Sequence, residues 1–186
     1  MKKLVCLVAA IVLTFFIAGC KNGRSSMKKV NDSDSVDRAA VVDSTIYGVC
    51  GEGTAMHSLE LITDQGDTLH FLLNMDEEAN VQGGLLEGDR LAVIAGKSID
   101  GDKTAKTVIN ITTLQGEWTS IDKNFEIQEG GVVRSNVKAE TNPWTLWKIV
   151  NGKLLLNKDT FKIDELGADS LYLENDKGIF VYKRQK

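Results

Sequence analysis

Between residues 114 and 186 the chain repeats one short pattern: a few residues of alternating apolar and polar character, then a turn. A period of two is the signature of a strand with one buried face. Eight such segments are readable: Glu117–Ser120, Asn124–Gln128, Val132–Asn136, Thr145–Val150, Lys153–Leu156, Thr160–Glu165, Ser170–Glu174 and Ile179–Arg184. Phe125 with Ile127, Phe161 with Ile163, and Leu171 with Leu173 each share one side of a strand. Turn chemistry separates the segments. Glu129-Gly130-Gly131 and Asp176-Lys177-Gly178 close hairpins, and Asn151-Gly152 is a favoured type I′ pair. Short strands joined this tightly exclude helical bundles and α/β layers. They predict an up-and-down barrel or a two-sheet clamp.

The preceding stretch is also β-rich. Strands are expected at Thr45–Cys50, His57–Thr63, Thr68–Asn74, Arg90–Ala95 and Thr104–Thr112. Gly51-Glu52-Gly53, Asp64-Gln65-Gly66-Asp67, Gly88-Asp89 and Asp100-Gly101-Asp102 mark the turns. Met75–Gln82, with Asp76-Glu77-Glu78-Ala79, reads as a short helix with a solvated acidic face. Five strands with a helix after the third resemble the OB-fold order. The fold class expected is all-β: a small OB-like barrel, then a short eight-stranded barrel or clamp.

The N-terminus carries an address. Lys2 and Lys3 precede an uncharged apolar stretch from Leu4 to Ile17, interrupted by Thr14. A membrane span needs about 20 residues, so the stretch reads as a secretion signal instead. It ends in Ile17-Ala18-Gly19-Cys20, which resembles the bacterial lipobox. That resemblance implies cleavage after Gly19 and lipid on Cys20, hence a membrane anchor through the N-terminus. Acyl chains contribute about 0.8 kcal/mol per buried methylene, so several together anchor stably. Lys21 differs from the Asp that retains many Gram-negative lipoproteins in the inner membrane, and Lys21–Ser26 is no acidic export tag. The expected location is the outer membrane, facing the periplasm. The division expected is 1–19 signal peptide, 20–43 tether, 44–113 OB-like barrel and 114–186 second β-domain. Residues 21–43 hold too little apolar content to fold alone. Asp32, Asp34 and Asp37 are not a calcium loop, because the sixth position is Asp37 where Gly is needed.

Net charge is −4, and removal of Lys2 and Lys3 leaves 20 basic against 26 acidic residues, or −6. An acidic chain of this kind is not expected to bind nucleic acid. Of the three cysteines, Cys6 leaves with the signal and Cys20 takes lipid. Cys50 is then alone on an apolar strand, which predicts a buried, inert thiol.

Leu114-Gln115-Gly116-Glu117-Trp118 resembles the Gly-x-Trp opening of lipocalin-like domains. Phe125-x-Ile127…Gly130, Trp147-x-Ile149…Asn151-Gly152-x-Leu154 and Ser170-Leu171-x-Leu173 are similar to the short lipocalin-like domain of lipoproteins from Gram-negative anaerobes. The resemblance covers residues 114–186. It implies that Trp118 closes the barrel base and that Arg184, on the last strand, packs over it through a cation–π contact.

Catalytic and metal constellations are not apparent in the sequence. A two-residue turn at Gln65-Gly66 predicts His57 opposite Asn74 and His70 opposite Leu61, about 13 Å apart, too far to share a metal. Cys50 and His57 could approach across strands but lack an orienting third group. There is no phosphate loop and no Gly-x-Ser-x-Gly. No cofactor and no enzymatic activity are expected. Trp147 alternates with Ile149 and reads as core. Trp144 follows Pro143 and reads as either an exposed rim residue that contacts a ligand or partner, or an aromatic packed against the first half.

Two functions fit. The first is a lipid-anchored envelope protein that binds a small apolar molecule. The second is a non-enzymatic scaffold with filled cores, docking onto an envelope protein through strand edges or Trp144. A barrel of such short strands is about 13–20 Å tall, with room for its own side chains or one small ligand. Uninterrupted packing of Trp118, Phe125, Trp147 and Phe161 favours the scaffold, and a lined void favours the binding protein.

Overall fold

The computed structural model describes residues 42–73 and 80–185. The signal peptide, Cys20, nearly all of the tether, and the Met75–Ala79 part of the expected helix lie outside those residues. The first six strands are β1 (Ile46–Cys50), β2 (Ser58–Thr63), β3 (Thr68–Leu72), β4 (Asn80–Gln82), β5 (Arg90–Ala95) and β6 (Ala105–Asn110). They form one sheet in the order β3-β2-β1-β5-β6-β4. A parallel bridge between Leu72 and Thr104, with the Leu72 N–H donating to Lys103 O at 2.8 Å, brings β3 round to β6. The five longer strands therefore close in the OB-like order, around Cys50, Leu59, Leu61, Phe71, Leu91, Val93, Ala105 and Val108.

Two expectations fail here. The end of the expected helix is a strand: Asn80–Gln82 pairs parallel with β6. Gly83 and Gly84 follow at φ 87° and 75°, which no helix continues through. The β2–β3 turn has three residues rather than two, since the Thr63 N–H donates to Asp67 O at 2.8 Å and Gly66 sits at φ 89°. The register moves by one, so His70 faces Glu60 and the Leu73 N–H reaches His57 O. Packing dictates this choice. It sets Leu59 opposite Phe71, both buried, whereas the other register turns one of them outward.

A one-turn helix, α1 (Ile111–Leu114), leads into the second sheet, its start capped by Asn110, whose side chain accepts the Thr113 N–H at 2.9 Å. Then come β7 (Gly116–Thr119), β8 (Asn124–Gln128), β9 (Val132–Ser135), β10 (Trp147–Val150), β11 (Lys153–Leu156), β12 (Asp159–Leu166), β13 (Ser170–Asn175) and β14 (Gly178–Arg184). They form an eight-stranded antiparallel meander, β10-β11-β12-β13-β14-β7-β8-β9. The seam between β9 and β10 is stitched by a Val132–Leu146 bridge and by the Val133 N–H on Thr145 O at 2.9 Å. The result is a nearly closed up-and-down barrel. Asn151 and Gly152 take φ 50° and 74°, both left-handed as a type I′ turn demands.

Leu91-Ala92-Val93 and Val108-Ile109-Asn110 are buried without alternation. Leu91, Val93 and Val108 face the first barrel's core. Ala92 and Ile109 face the other way and join Ile111, Leu114 and Trp118 in the core of the second barrel. The wall of one barrel thus helps to floor the next. Main-chain and side-chain bonds hold the junction: Tyr47 Oη donates to Ile149 O at 2.6 Å, and Gln82 Oε1 accepts the Leu166 N–H at 2.8 Å.

Candidate functional site

The two ends of the eight-stranded barrel differ. At the base, Trp118 is fully buried and its Nε1 donates to Leu114 O at 2.8 Å, which satisfies its polar atom. Arg184 stands opposite Trp118 across β14 and β7, with its guanidinium carbon 4.2 Å from the indole centroid. That guanidinium donates to the carbonyls of Thr113, Gln115 and Ala168. Burial pulls its pKa below the ordinary value, against the opposing pull of Asp169. Gly116 leaves the space this needs: a Cβ there would collide with Arg184 Nη1, and φ is +128°. Trp147 is core, with Nε1 donating to Gln128 O at 2.7 Å.

At the opposite end the rings change from packing to lining. Phe125 meets Trp144 edge-on at 5.1 Å and Tyr182 at 5.1 Å. Trp144 meets Phe161 at 5.7 Å, and Phe161 meets Phe180 at 5.9 Å, again near-perpendicular. Edge-to-face rings prop one another open rather than stacking flat. Above them lies an open-mouthed cavity of about 930 Å³, walled by Trp144, Phe161, Phe180 and Tyr182 and by the β7–β8 and β13–β14 turns. Lys123, Lys177 and Lys183, with Asp122 and Asp159, add charge at its margin.

The polar groups around Trp144 are paired. Lys123 Nζ lies 4.3 Å from the centroid of the Trp144 ring and also pairs with Glu140. Glu140 accepts a further bond from Ser135 Oγ at 2.5 Å. Burial pushes the Glu140 pKa up, but the hydrogen bonds from Lys123 and Ser135 outweigh it and leave the carboxyl below its usual value. Trp144 Nε1 donates to Asp159 Oδ2 at 3.3 Å. Burial, then the charges of Asp122 and Glu140, push the Tyr182 phenol up to about 12. The site is thus a pocket with four aromatic walls and a polar, charged margin, whose lining phenol is neutral at physiological pH.

Trp144 is neither exposed at the rim nor packed on the first half. It is 8% exposed and sits inside the second barrel, among Phe125, Phe161 and Lys123. The chain from Pro143 turns inward because the aromatic interior buries the indole and Asp159 satisfies its N–H. Cys50 is buried, with Sγ 3.3 Å from Thr54 Oγ1. His70 lies 3.9 Å from Glu60, and no cluster able to hold a metal occurs among the described residues. Sequence reasoning missed Phe180, Tyr182, Lys123 and Glu140. Phe180 and Tyr182 were signalled by their alternation on β14. Lys123 and Glu140, separated by 17 residues, were not.

The family model described as Lipocalin-like matches residues 110–185. No curated protein and no solved structure matches the chain. The C-terminal region is therefore a lipocalin-like β-barrel, and its N-terminal boundary takes in α1 as well as the Gly116–Trp118 opening.

Proposed function

We propose that this chain is a lipid-anchored binding protein of the cell envelope that takes a small apolar molecule into the mouth of its eight-stranded barrel. The cavity of about 930 Å³ among Trp144, Phe161, Phe180 and Tyr182 carries the reading. Its volume lies in the range of small-molecule sites, about 300–1,000 Å³, which are mostly apolar with a few placed polar groups. A lipocalin-like barrel is a binding scaffold, and the chemistry of the lining agrees: four aromatic rings form its walls, with Lys123 engaged by Glu140 and Asp159 by the Trp144 N–H. The role proposed is non-enzymatic.

Retention at the membrane rests on Cys20, following Ile17-Ala18-Gly19. We place the protein on the outer membrane, facing the periplasm. Incorporation of radiolabelled palmitate, lost in Cys20→Ser, tests the anchor. Membrane fractionation tests the location.

Native against denaturing mass spectrometry of residues 21–186, secreted from a related host, tests the ligand. The expected result is an additional mass lost on denaturation. Nile red supplies a second readout. Phe180→Ser removes one cavity wall. Burial against a phenyl ring stabilises a bound apolar molecule by about 1.5–3 kcal/mol, so affinity should fall roughly tenfold or more. A bare mass together with Nile red emission indifferent to Phe180 would overturn the reading and favour a scaffold with no small ligand.

A further inference from the structure

One edge of β14 is unpaired at the cavity mouth. Along its other edge β14 pairs with β13 without interruption, from Asn175↔Gly178 to Ser170↔Lys183. On the β7 side only Lys183↔Thr119 and Arg184↔Trp118 are paired. The lengths explain the gap: β7 has 4 residues and β14 has 7. Beyond Thr119 the chain leaves the sheet into the Ser120–Lys123 turn, where the Ser120 N–H donates to Lys123 O at 2.7 Å. The pocket lies in this slot, for its lining includes both Phe180 and Tyr182 from the inner face and Ile179 and Val181 from the outer face.

Backbone directions follow from the ladder. The Arg184 N–H donates to Asp169 O, toward β13, and the Gln185 N–H donates to Glu117 O, toward β7. Alternation along an antiparallel strand then aims the N–H and C=O of Ile179 and Val181 into the slot. No partner takes these groups among the described residues. Strand edges are normally blunted by charge, proline, bulges or a covering element. Here the edge is Gly178-Ile179-Phe180-Val181-Tyr182, uncharged and free of proline. Ile179 is 61% exposed, Val181 47%, and Ile121, on the facing turn, 102%. Exposed Lys177 and Lys183 bracket the free stretch.

We propose that this edge receives an extended peptide, apolar at its centre and acidic at its ends, which adds as a strand between β14 and the β7–β8 turn. Two residues carrying free N–H and C=O groups along one strand edge present the spacing of a peptide backbone, about 6.8 Å for two residues. An apolar small molecule supplies no such donors and acceptors. Main-chain bonds hold the strand, and alternate side chains find different surroundings, as in other strand-addition sites. The central side chain enters the aromatic cavity, and its neighbours lie over Ile179 and Val181. Lys177 and Lys183 attract acidic ends and repel basic ones. This goes beyond the apolar-ligand reading, because the free N–H and C=O groups of Ile179 and Val181 recognise a peptide backbone, which an apolar small molecule does not offer.

The test uses the chain from residue 21 to 186 and a fluorescein-labelled heptapeptide of alternating valine and threonine, with glutamate at each end. Three variants of the peptide accompany it: lysine-ended, N-methylated at the two residues that flank the central valine and in an antiparallel pairing aim their N–H groups at Ile179 and Val181, and sequence-scrambled to break the alternation. Val181→Pro deletes an N–H that β13 does not use, so the fold tolerates it as an edge proline. Expected results are binding of the glutamate-ended peptide, at least tenfold loss with the N-methylated peptide and with Val181→Pro, and weaker binding of the lysine-ended and scrambled peptides. Amide exchange at Ile179 and Val181 is expected to be fast in the free protein and slowed by the peptide. The idea is overturned if the glutamate-ended peptide does not bind, if N-methylation leaves affinity unchanged, or if those amides are already protected without peptide. Should Val181→Pro fail to fold, the N-methylated peptide still decides. Nile red binding is read in parallel on the unmodified protein: dye binding without peptide binding refutes the strand edge alone, and peptide binding without dye or extra mass refutes the small-ligand reading alone.

Discussion

Arg184 offers the sharpest test of how the barrel base is held. Arg184→Met keeps the aliphatic stem and deletes the guanidinium. Three carbonyls lose a charged donor, those of Thr113, Gln115 and Ala168, and Trp118 loses a cation 4.2 Å from its ring. A hydrogen bond with a charged partner contributes about 1.5–3 kcal/mol, and a partly exposed cation–π contact about 0.5–1 kcal/mol. The contributions do not add, because Arg184 is half-buried and water reaches part of the vacated site. The expected net loss is about 2–4 kcal/mol, a large share of a typical stability of about 5–15 kcal/mol. Urea unfolding, followed by circular dichroism and by fluorescence, measures it. Arg184→Lys should recover less than half, since an ammonium cannot fork to three carbonyls and cover a ring at once. Gly116→Ala should mimic the loss, because its Cβ collides with Nη1 and φ is +128°. In the Arg184→Met background that substitution should cost only its backbone strain, about 1–3 kcal/mol. A loss under about 1 kcal/mol for Arg184→Met, or strict additivity with Gly116→Ala, would refute the reasoning.

Three further outcomes follow from the same geometry. The Glu140 carboxyl is held below its usual value in the fold, so its contribution is present above 4.5 and is lost as pH falls through the lower folded value. Acid unfolding of the wild type should therefore be steeper than that of Glu140→Gln below pH 4.5, with the difference vanishing at neutral pH after each curve is referenced to its own plateau. For Tyr182, whose folded value is raised to about 12 from 10.0, the contribution to stability is complete below 10.0 and falls as pH rises towards 12. Ultraviolet titration should show a phenol that ionises last, and in Tyr182→Phe the step near 12 should disappear, leaving Tyr47, which burial also raises, as the late one. Asn151→Ala should cost about 1–3 kcal/mol in urea unfolding. It places alanine at φ 50° and removes the Asn151 side chain that bonds Ser44 N at 2.8 Å and Val42 O at 3.1 Å.

What the sequence disclosed was local. The eight strands of the second half emerge close to their structural limits because each is set by its own alternation and by its flanking turn. Asn151-Gly152 could be read as a type I′ hairpin, since few dipeptides tolerate two positive φ angles in succession. Errors arose where a distant contact overrode a local signal. Asn80–Gln82 became a strand because β6 was there to pair with it. The β2–β3 turn took an extra residue because Leu59 had to meet Phe71.

The all-β class, the eight-stranded meander and the OB-like order of the first half were written in the order of the amino acids. Alternation, turn residues and strand lengths are properties of neighbouring residues, and elementary sterics converts them into structure. Assembly in three dimensions was needed to leave the barrel filled at one end and hollow at the other, and to bring Trp144 inside it. The same assembly made Ala92 and Ile109 of the first sheet a floor for the second barrel. These outcomes depend on which surfaces meet across long stretches of chain: a four-residue β7 beside a seven-residue β14 leaves a slot that neither strand encodes alone.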